Sequence, residues 1–203
     1  MLDRAVRPLI DIPLNAMARA VLPLGISPNA ITLFGAALGV AAAFAIASGR
    51  FGLGCALIAG NRILDGLDGA LARLRQAGTD LGGYLDSLCD YLFYAAIPLA
   101  FAVQDPARNA LPAAALLASF LLTAASFLAF AAIASKRAGA AAATGGKAFV
   151  YSRGLIEGTE TIAFFVAMSL WPQAFAPLAW LCAGLCVVTA LLRSAQAARA
   201  FRA

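Results

Sequence analysis

Four aspartates carry the chemistry this chain is equipped to do. Asp65 and Asp68 stand three residues apart, and Asp86 and Asp90 four apart, in a stretch otherwise apolar enough to cross a membrane. A carboxylate placed in lipid costs about 2.5–3.5 kcal/mol on insertion scales, so four of them in two adjoining segments require compensating positive charge. Each spacing puts its pair on one face of a helix. Oxygen-only ligands suit hard divalent ions, Mg²⁺ or Mn²⁺, and two such ions would clamp a diphosphate. The pattern points to metal-assisted phosphate chemistry at a membrane. A purely structural reading, with interfacial carboxylates paired to Arg62, Arg73 and Arg75, explains one aspartate better than four in two helical registers.

Composition sets the kind of element that must hold these residues. The chain is 63% hydrophobic and 12% charged, with a mean hydropathy of +0.86, as in polytopic membrane proteins. It contains no histidine, which excludes histidine acid–base chemistry, phosphohistidine intermediates and histidine-rich zinc sites. Cys55, Cys89, Cys182 and Cys186 lie in apolar stretches and read as small buried hydrophobes rather than ligands or disulfide partners.

Hydrophobic runs and breakers predict six spans, at 28–48, 52–75, 82–103, 109–135, 147–171 and 174–194, each near the ~20 residues needed to cross the hydrocarbon. Ser27 and Pro28 supply an N-cap and a first helical position. Asp105-Pro106 separates spans three and four, a glycine-containing loop over 138–146 separates four and five, and Pro172 separates the last two. Upstream, Arg4, Arg7, Asp11, Asn15 and Arg19 recur at steps of three and four among apolar residues. That pattern predicts an amphipathic juxtamembrane helix over 2–23, bent at Pro8 and Pro13. The expected fold is an all-α membrane protein: one domain over 1–203, with a surface helix at 2–23 and a six-helix bundle over 28–194.

Most Arg and Lys residues of the predicted loops and ends fall on one side, with Arg50 and Arg108 on the other. The positive-inside rule then places both termini and the aspartates at the cytoplasmic face of an inner or plasma membrane. The net charge of +5 reads as topology and anionic-lipid contact, not nucleic-acid binding. The short Arg73–Leu81 connection makes spans two and three antiparallel neighbours. Gly69, Ala72, Gly82 and Gly83 are expected to let their backbones approach closely.

The run Asp65-x-x-Asp68-Gly69-x-x-Ala72-Arg73, then eight residues, then Gly82-x-x-x-Asp86-x-x-x-Asp90 resembles the signature of the CDP-alcohol phosphatidyltransferase family. The resemblance implies a membrane enzyme that moves a phosphatidyl group from CDP-diacylglycerol to an alcohol, releases CMP, uses two Mg²⁺ or Mn²⁺ ions and forms a homodimer. It implies Asp65, Asp68 and Asp86 as main metal ligands, and Asp90 as a metal contact and general base. Gly69, Ala72 and Arg73 match positions facing the CDP diphosphate, and Asn29 with Thr32 resembles an element near the cytidine and its phosphates.

The acceptor alcohol is less legible. Arg153, Glu157 and Glu160, spaced by four and three, are expected on one face of span five, as acceptor contacts or as a bundle-stabilising ion pair. Lys136, Arg137 and Lys147 suit a phosphorylated acceptor, or serve as positive-inside anchors. Serine, inositol or its phosphate, and glycerol 3-phosphate are the candidate acceptors. Two other readings use acidic membrane helices. A UbiA-type prenyltransferase carries two well-separated aspartate motifs, whereas here both pairs fall within 26 residues. A divalent-cation transporter needs carboxylates near mid-membrane and an exit on the far side.

Overall fold

Local sequence sets where the helices begin. Ser27 Oγ accepts the Ala30 N–H at 3.2 Å, and the fixed φ of Pro28 suits the first helical position. Thr79 does the same further on, its Oγ1 accepting the Gly82 N–H at 3.0 Å. Gly25 and Gly49 close the preceding turns with φ of 72° and 74°, a left-handed backbone that glycine adopts without steric cost. The computed structural model describes the backbone of residues 3–76, 78–143 and 156–201, and the side chains of 10–76, 78–137 and 156–201. Its seven long elements are α1 (Asp3–Val21), α2 (Pro28–Ala47), α3 (Phe51–Leu74), α4 (Asp80–Gln104), α5 (Pro106–Ala143), α6 (Gly158–Leu170) and α7 (Phe175–Phe201). One-turn 3-10 segments follow α1 and precede α7. No strand occurs among the described residues.

Among the described residues, four stretches are long and apolar enough to cross a membrane: Pro28–Ala47, Asp80–Gln104, Pro106–Arg137 and Pro172–Phe201. Two of the six expected spans do not meet that description over their described residues. α3 carries Arg62, Asp65, Asp68 and Arg73, and α6 is an apolar helix of only 13 residues. Phe44 and Leu111 are each about 70% exposed, as expected of side chains that face lipid instead of a protein core.

α1 runs through Pro8 and Pro13 as one helix, within the expected 2–23. Two other boundaries differ from expectation. α5 continues to Ala143, because the alanine-rich segment that was expected as loop has high helix propensity. α6 begins at Gly158, behind an extended Glu157 with φ −125° and ψ −168°, so Glu157 caps the helix that carries Glu160 instead of sharing a helical face with it. The Ile156 N–H donates to Thr189 Oγ1 at 3.0 Å, which ties this start to α7.

α2 packs against both α3 and α4; α5 packs against α4 and α7; α1 lies along α3, and α6 also meets α3. The main core gathers Phe93, Ile97 and Phe101 of α4 with Phe165 and Met168 of α6 and Phe175, Cys182 and Cys186 of α7. Phe101 and Phe175 stack at 4.4 Å between centroids, an arrangement worth about 0.5–1.5 kcal/mol beyond area burial. A smaller core docks α1, through Leu14 and Ala18, onto Leu67, Ala70 and Leu71 of α3. α3 and α4 are not close-packed partners, contrary to the expectation that glycines bring them together. A Cβ on Gly83 would meet nothing within 4 Å, and one on Gly82 would meet Asn29 Oδ1 and Thr79 Oγ1, both at 3.1 Å. The gap between the two helices is a cavity.

Candidate active site

α2 is the shared wall that sets this gap. Asn61 Nδ2 on α3 donates to Gly35 O on α2 at 2.8 Å. A Cβ on Gly35 would lie 3.3 Å from Leu64 Cβ, and one on Gly39 would lie 3.0 Å from the Phe93 ring, so these small residues seat α3 and α4 on α2. Thr32 on α2 reaches α3 directly: its Oγ1 donates to Asp68 Oδ2 at 2.5 Å and lies 3.2 Å from Pro28 O.

The resulting cavity, about 800 Å³, is lined by Asp65 and Asp68 from α3 and by Asp86 and Asp90 from α4. Asn29, Thr32, Gly69, Ala72 and Arg73 line the same space. All nine residues of the two aspartate pairs and the expected nucleotide contacts therefore meet in one place. Gly82 holds Asn29 close to the start of α4: any side chain there would press on the Asn29 amide.

A tenth residue stands inside the cluster. Arg62 Nη1 lies 2.9 Å from Asp90 Oδ1 and 3.5 Å from Asp65 Oδ2, and so bridges one carboxylate of each pair. Its Nε donates to Asn61 Oδ1 at 2.7 Å, and its guanidinium sits 4.5 Å over the Phe93 ring. The donor set of four carboxylates, with no sulfur or imidazole among them, has the chemistry of a hard divalent-ion site. With the side chains as placed, no three acidic or cysteine groups among the described residues converge on a single point. The carboxylates line a shared space, and Arg62 links two of them across it.

A second cavity of about 790 Å³ shares Asp90, Tyr94 and Gly158 with the first and continues among α4, α5, α6 and α7. Its wall is mostly apolar, with Phe120, Leu121, Phe127 and Ile156, but it also carries Glu157, Thr161 and Arg193. Arg193 is only 5% exposed. Its Nη1 donates to Thr123 O at 2.9 Å and Ser126 Oγ at 3.0 Å, and its guanidinium lies 5.4 Å from the Phe127 ring centre. In the positive-inside pattern Arg193 is one more cation of the cytoplasmic side. Its signal was present all the same: Cys182, Cys186, Thr189 and Arg193 follow at steps of four, three and four, and all are buried.

Of the expected acceptor residues, Lys136, Arg137, Glu157 and Glu160 lie among the described residues. Arg137 donates to Ala200 O at 3.2 Å and Phe201 O at 2.7 Å, joining α5 to the end of α7, and neighbouring Lys136 is exposed. Neither lines the two cavities. Glu160 Oε2 accepts the Glu157 N–H at 3.1 Å, part of a capping box at the start of α6. Glu157 itself borders the second cavity. Lys147 and Arg153 lie outside the described residues.

Comparison with known proteins accounts for this arrangement. The family profile for CDP-alcohol phosphatidyltransferase matches residues 25–193. The chain is similar to inner membrane protein YnjF of Escherichia coli (strain K12), with 45% identity over 95% of this chain and 93% of that one. It is 30% identical to the archaetidylinositol phosphate synthase of Pyrococcus horikoshii, over 58% of this chain and 63% of that one. Among solved structures, Mycobacterium tuberculosis phosphatidylinositol phosphate synthase with CDP-DAG bound superposes with a TM-score of 0.66. That match has 25% identity and covers 91% of this chain and 92% of that one.

Proposed function

Since the chain belongs to the CDP-alcohol phosphatidyltransferase family, we propose that it transfers a phosphatidyl group from CDP-diacylglycerol to a phosphorylated polyol, of which inositol phosphate is the leading case, and releases CMP. The observation that carries this reading is the position of Asp90. It lines both the cavity of the four aspartates and the second cavity that holds Arg193.

Each residue has a part to play. Asp65, Asp68 and Asp86 hold two Mg²⁺ or Mn²⁺ ions, with Asp90 as an additional contact. When bound, these ions offset the diphosphate charge and make the lipid-side phosphorus electrophilic. Thr32 fixes the orientation of Asp68 through its hydrogen bond. Asn29, Gly69, Ala72 and Arg73 bind the CDP portion, and Arg73 stabilises charge on the departing CMP. Arg193 binds the acceptor's phosphate by charge-assisted hydrogen bonds and brings its hydroxyl to Asp90. Asp90 takes the hydroxyl proton as that oxygen bonds to the lipid-side phosphorus and the bond from phosphorus to the CMP oxygen breaks. The guanidinium of Arg193 in the wall of the second cavity, together with the similarity to enzymes named phosphatidylinositol phosphate synthase and archaetidylinositol phosphate synthase, favours a phosphorylated polyol over serine.

The same reading treats 1–203 as one membrane domain, with α1 on the membrane surface and α2–α7 as six spans. It places the cavities and both termini at the cytoplasmic face, where CMP departs, and the protein as a homodimer. Purified protein is given radiolabelled CDP-diacylglycerol with inositol phosphate, glycerol 3-phosphate, inositol or serine. Labelled lipid is expected with a phosphorylated acceptor, together with CMP. Preferred transfer to serine or free inositol overturns the acceptor assignment, and no transfer with any acceptor counts against the activity.

A further inference from the structure

We infer that Arg62 is a built-in competitor for the divalent-ion site: its guanidinium and an incoming ion contend for Asp65 and Asp90, so Arg62 sets how tightly the enzyme holds metal. The inference rests on the reading of the aspartate cavity as that ion site.

Arg62 is neither a surface charge nor a loose one. Its side chain is 17% exposed, and it reaches one carboxylate of each pair, at 2.9 Å on α4 and 3.5 Å on α3. Its position is fixed from behind. Asn61, itself 3% exposed, accepts from Nε at 2.7 Å while donating to α2 at Gly35 O. The Phe93 ring lies beneath the guanidinium at 4.5 Å, and Tyr94 borders it at 6.0 Å. A planar group held by one nitrogen and one ring face, with Nη1 aimed between two acidic side chains, is prearranged to act as a cation. The alternative, a plain ion pair that staples α3 to α4, does not account for its placement within the cavity wall.

Two consequences follow. Without a divalent ion, Arg62 offsets part of the mutual repulsion of the carboxylates and supports the α3–α4 spacing. When an ion arrives, Arg62 must yield Asp65 and Asp90, and its own positive charge opposes the newcomer. Removing it therefore weakens the fold when metal is withheld and strengthens the grip on metal.

The test uses the full-length protein in lipid nanodiscs, titrated with Mn²⁺ while free Mn²⁺ is read by electron paramagnetic resonance. Thermal unfolding is followed in chelator and in saturating Mn²⁺. Arg62→Gln is expected to bind Mn²⁺ about tenfold more tightly, the worth of a lost charge-assisted contact. Its unfolding temperature should fall in chelator and return toward wild type in Mn²⁺. Arg62→Lys, which keeps the charge but loses the fork geometry, should lie between the two; it carries the test if the glutamine variant fails to fold. Unchanged or weaker Mn²⁺ affinity in the variants overturns the inference. So does an equal loss of stability with and without Mn²⁺, the signature of a merely structural residue. Failure of wild type to bind Mn²⁺ would instead overturn the reading of the cavity on which the inference stands, and the inference with it.

Discussion

Thr32 on α2 donates its hydroxyl to Asp68 on α3 at 2.5 Å, joining two elements 36 residues apart in sequence. Both side chains are buried, Thr32 at 8% and Asp68 at 5% exposure. Thr32→Val keeps the shape and removes the donor. A buried acceptor deprived of its partner costs about 1–3 kcal/mol, so the variant should unfold at a lower temperature. Freed to rotate, Asp68 should also hold metal several-fold less tightly, with most of the loss of activity in the apparent affinity for Mg²⁺ or Mn²⁺. A metal titration of activity checks this. Unaltered metal dependence would mean that the bond serves stability alone.

The two glycines that open α4 make a paired prediction. At Gly82 an added Cβ would press on Asn29 Oδ1 and Thr79 Oγ1, each 3.1 Å away. At Gly83 it would meet nothing within 4 Å. Gly82→Ala should displace Asn29 and raise the KM for CDP-diacylglycerol, while Gly83→Ala should match or exceed wild-type stability, by up to about 1 kcal/mol from helix propensity. Nucleotide-lipid KM and thermal unfolding of both variants decide it. Equal effects at the two positions would detach Asn29 from the nucleotide.

Arg193 offers a test of the acceptor. Arg193→Met fills the same apolar wall without charge, and Arg193→Lys retains the charge without the planar guanidinium whose Nη1 bonds Thr123 and Ser126. If Arg193 binds the acceptor's phosphate, both variants should raise the acceptor KM, the methionine variant by about tenfold to a hundredfold, the worth of a hydrogen bond to a charged group. Binding of CDP-diacylglycerol should stay near wild type, because Arg193 does not border the aspartate cavity. An unchanged acceptor KM sinks the assignment. Parallel losses in nucleotide-lipid binding would indicate a general collapse of the α5–α7 packing.

How much of this was visible in the chain depended on whether a signal was local. The caps at Ser27 and the spacing of Asp65, Asp68, Asp86 and Asp90 are short-range features, and they place these residues without knowledge of the rest. The cavity between α3 and α4 was not visible. A short connection makes two helices antiparallel but says nothing about their separation, and Gly82 makes room for Asn29 rather than for a neighbouring backbone. Glu157 and Glu160 show a different ambiguity. A spacing of three marks a helical face and a capping box alike, and glutamate is an uncommon N-cap, so the start of α6 at Gly158 left no clear mark. Arg62 was visible only as a possible partner of acids, because its reach to Asp90 crosses 28 residues. Arg193 was hidden by topology counting, which treats every cation near a helix end as an anchor.

Asp90 is where the roles of the four aspartates are predicted to separate. Asp90→Asn preserves an oxygen able to accept from Arg62 Nη1, now at 2.9 Å, and so should fold and retain most of the metal and nucleotide binding. It removes the group that takes the acceptor's proton, and turnover should fall by at least about 10²–10⁴, the usual worth of a positioned general base. Asp68→Asn should behave differently. Its amide still accepts from Thr32, but the lost charge weakens the ion site, so metal affinity should fall and excess Mn²⁺ should restore part of the rate. The discriminating measurement is the transfer rate of each variant against Mn²⁺ concentration, with Mn²⁺ binding measured separately. Rescue of Asp90→Asn by Mn²⁺ to near the wild-type rate would make Asp90 a ligand and not a base, and would leave the acceptor hydroxyl to be deprotonated by another group bordering both cavities.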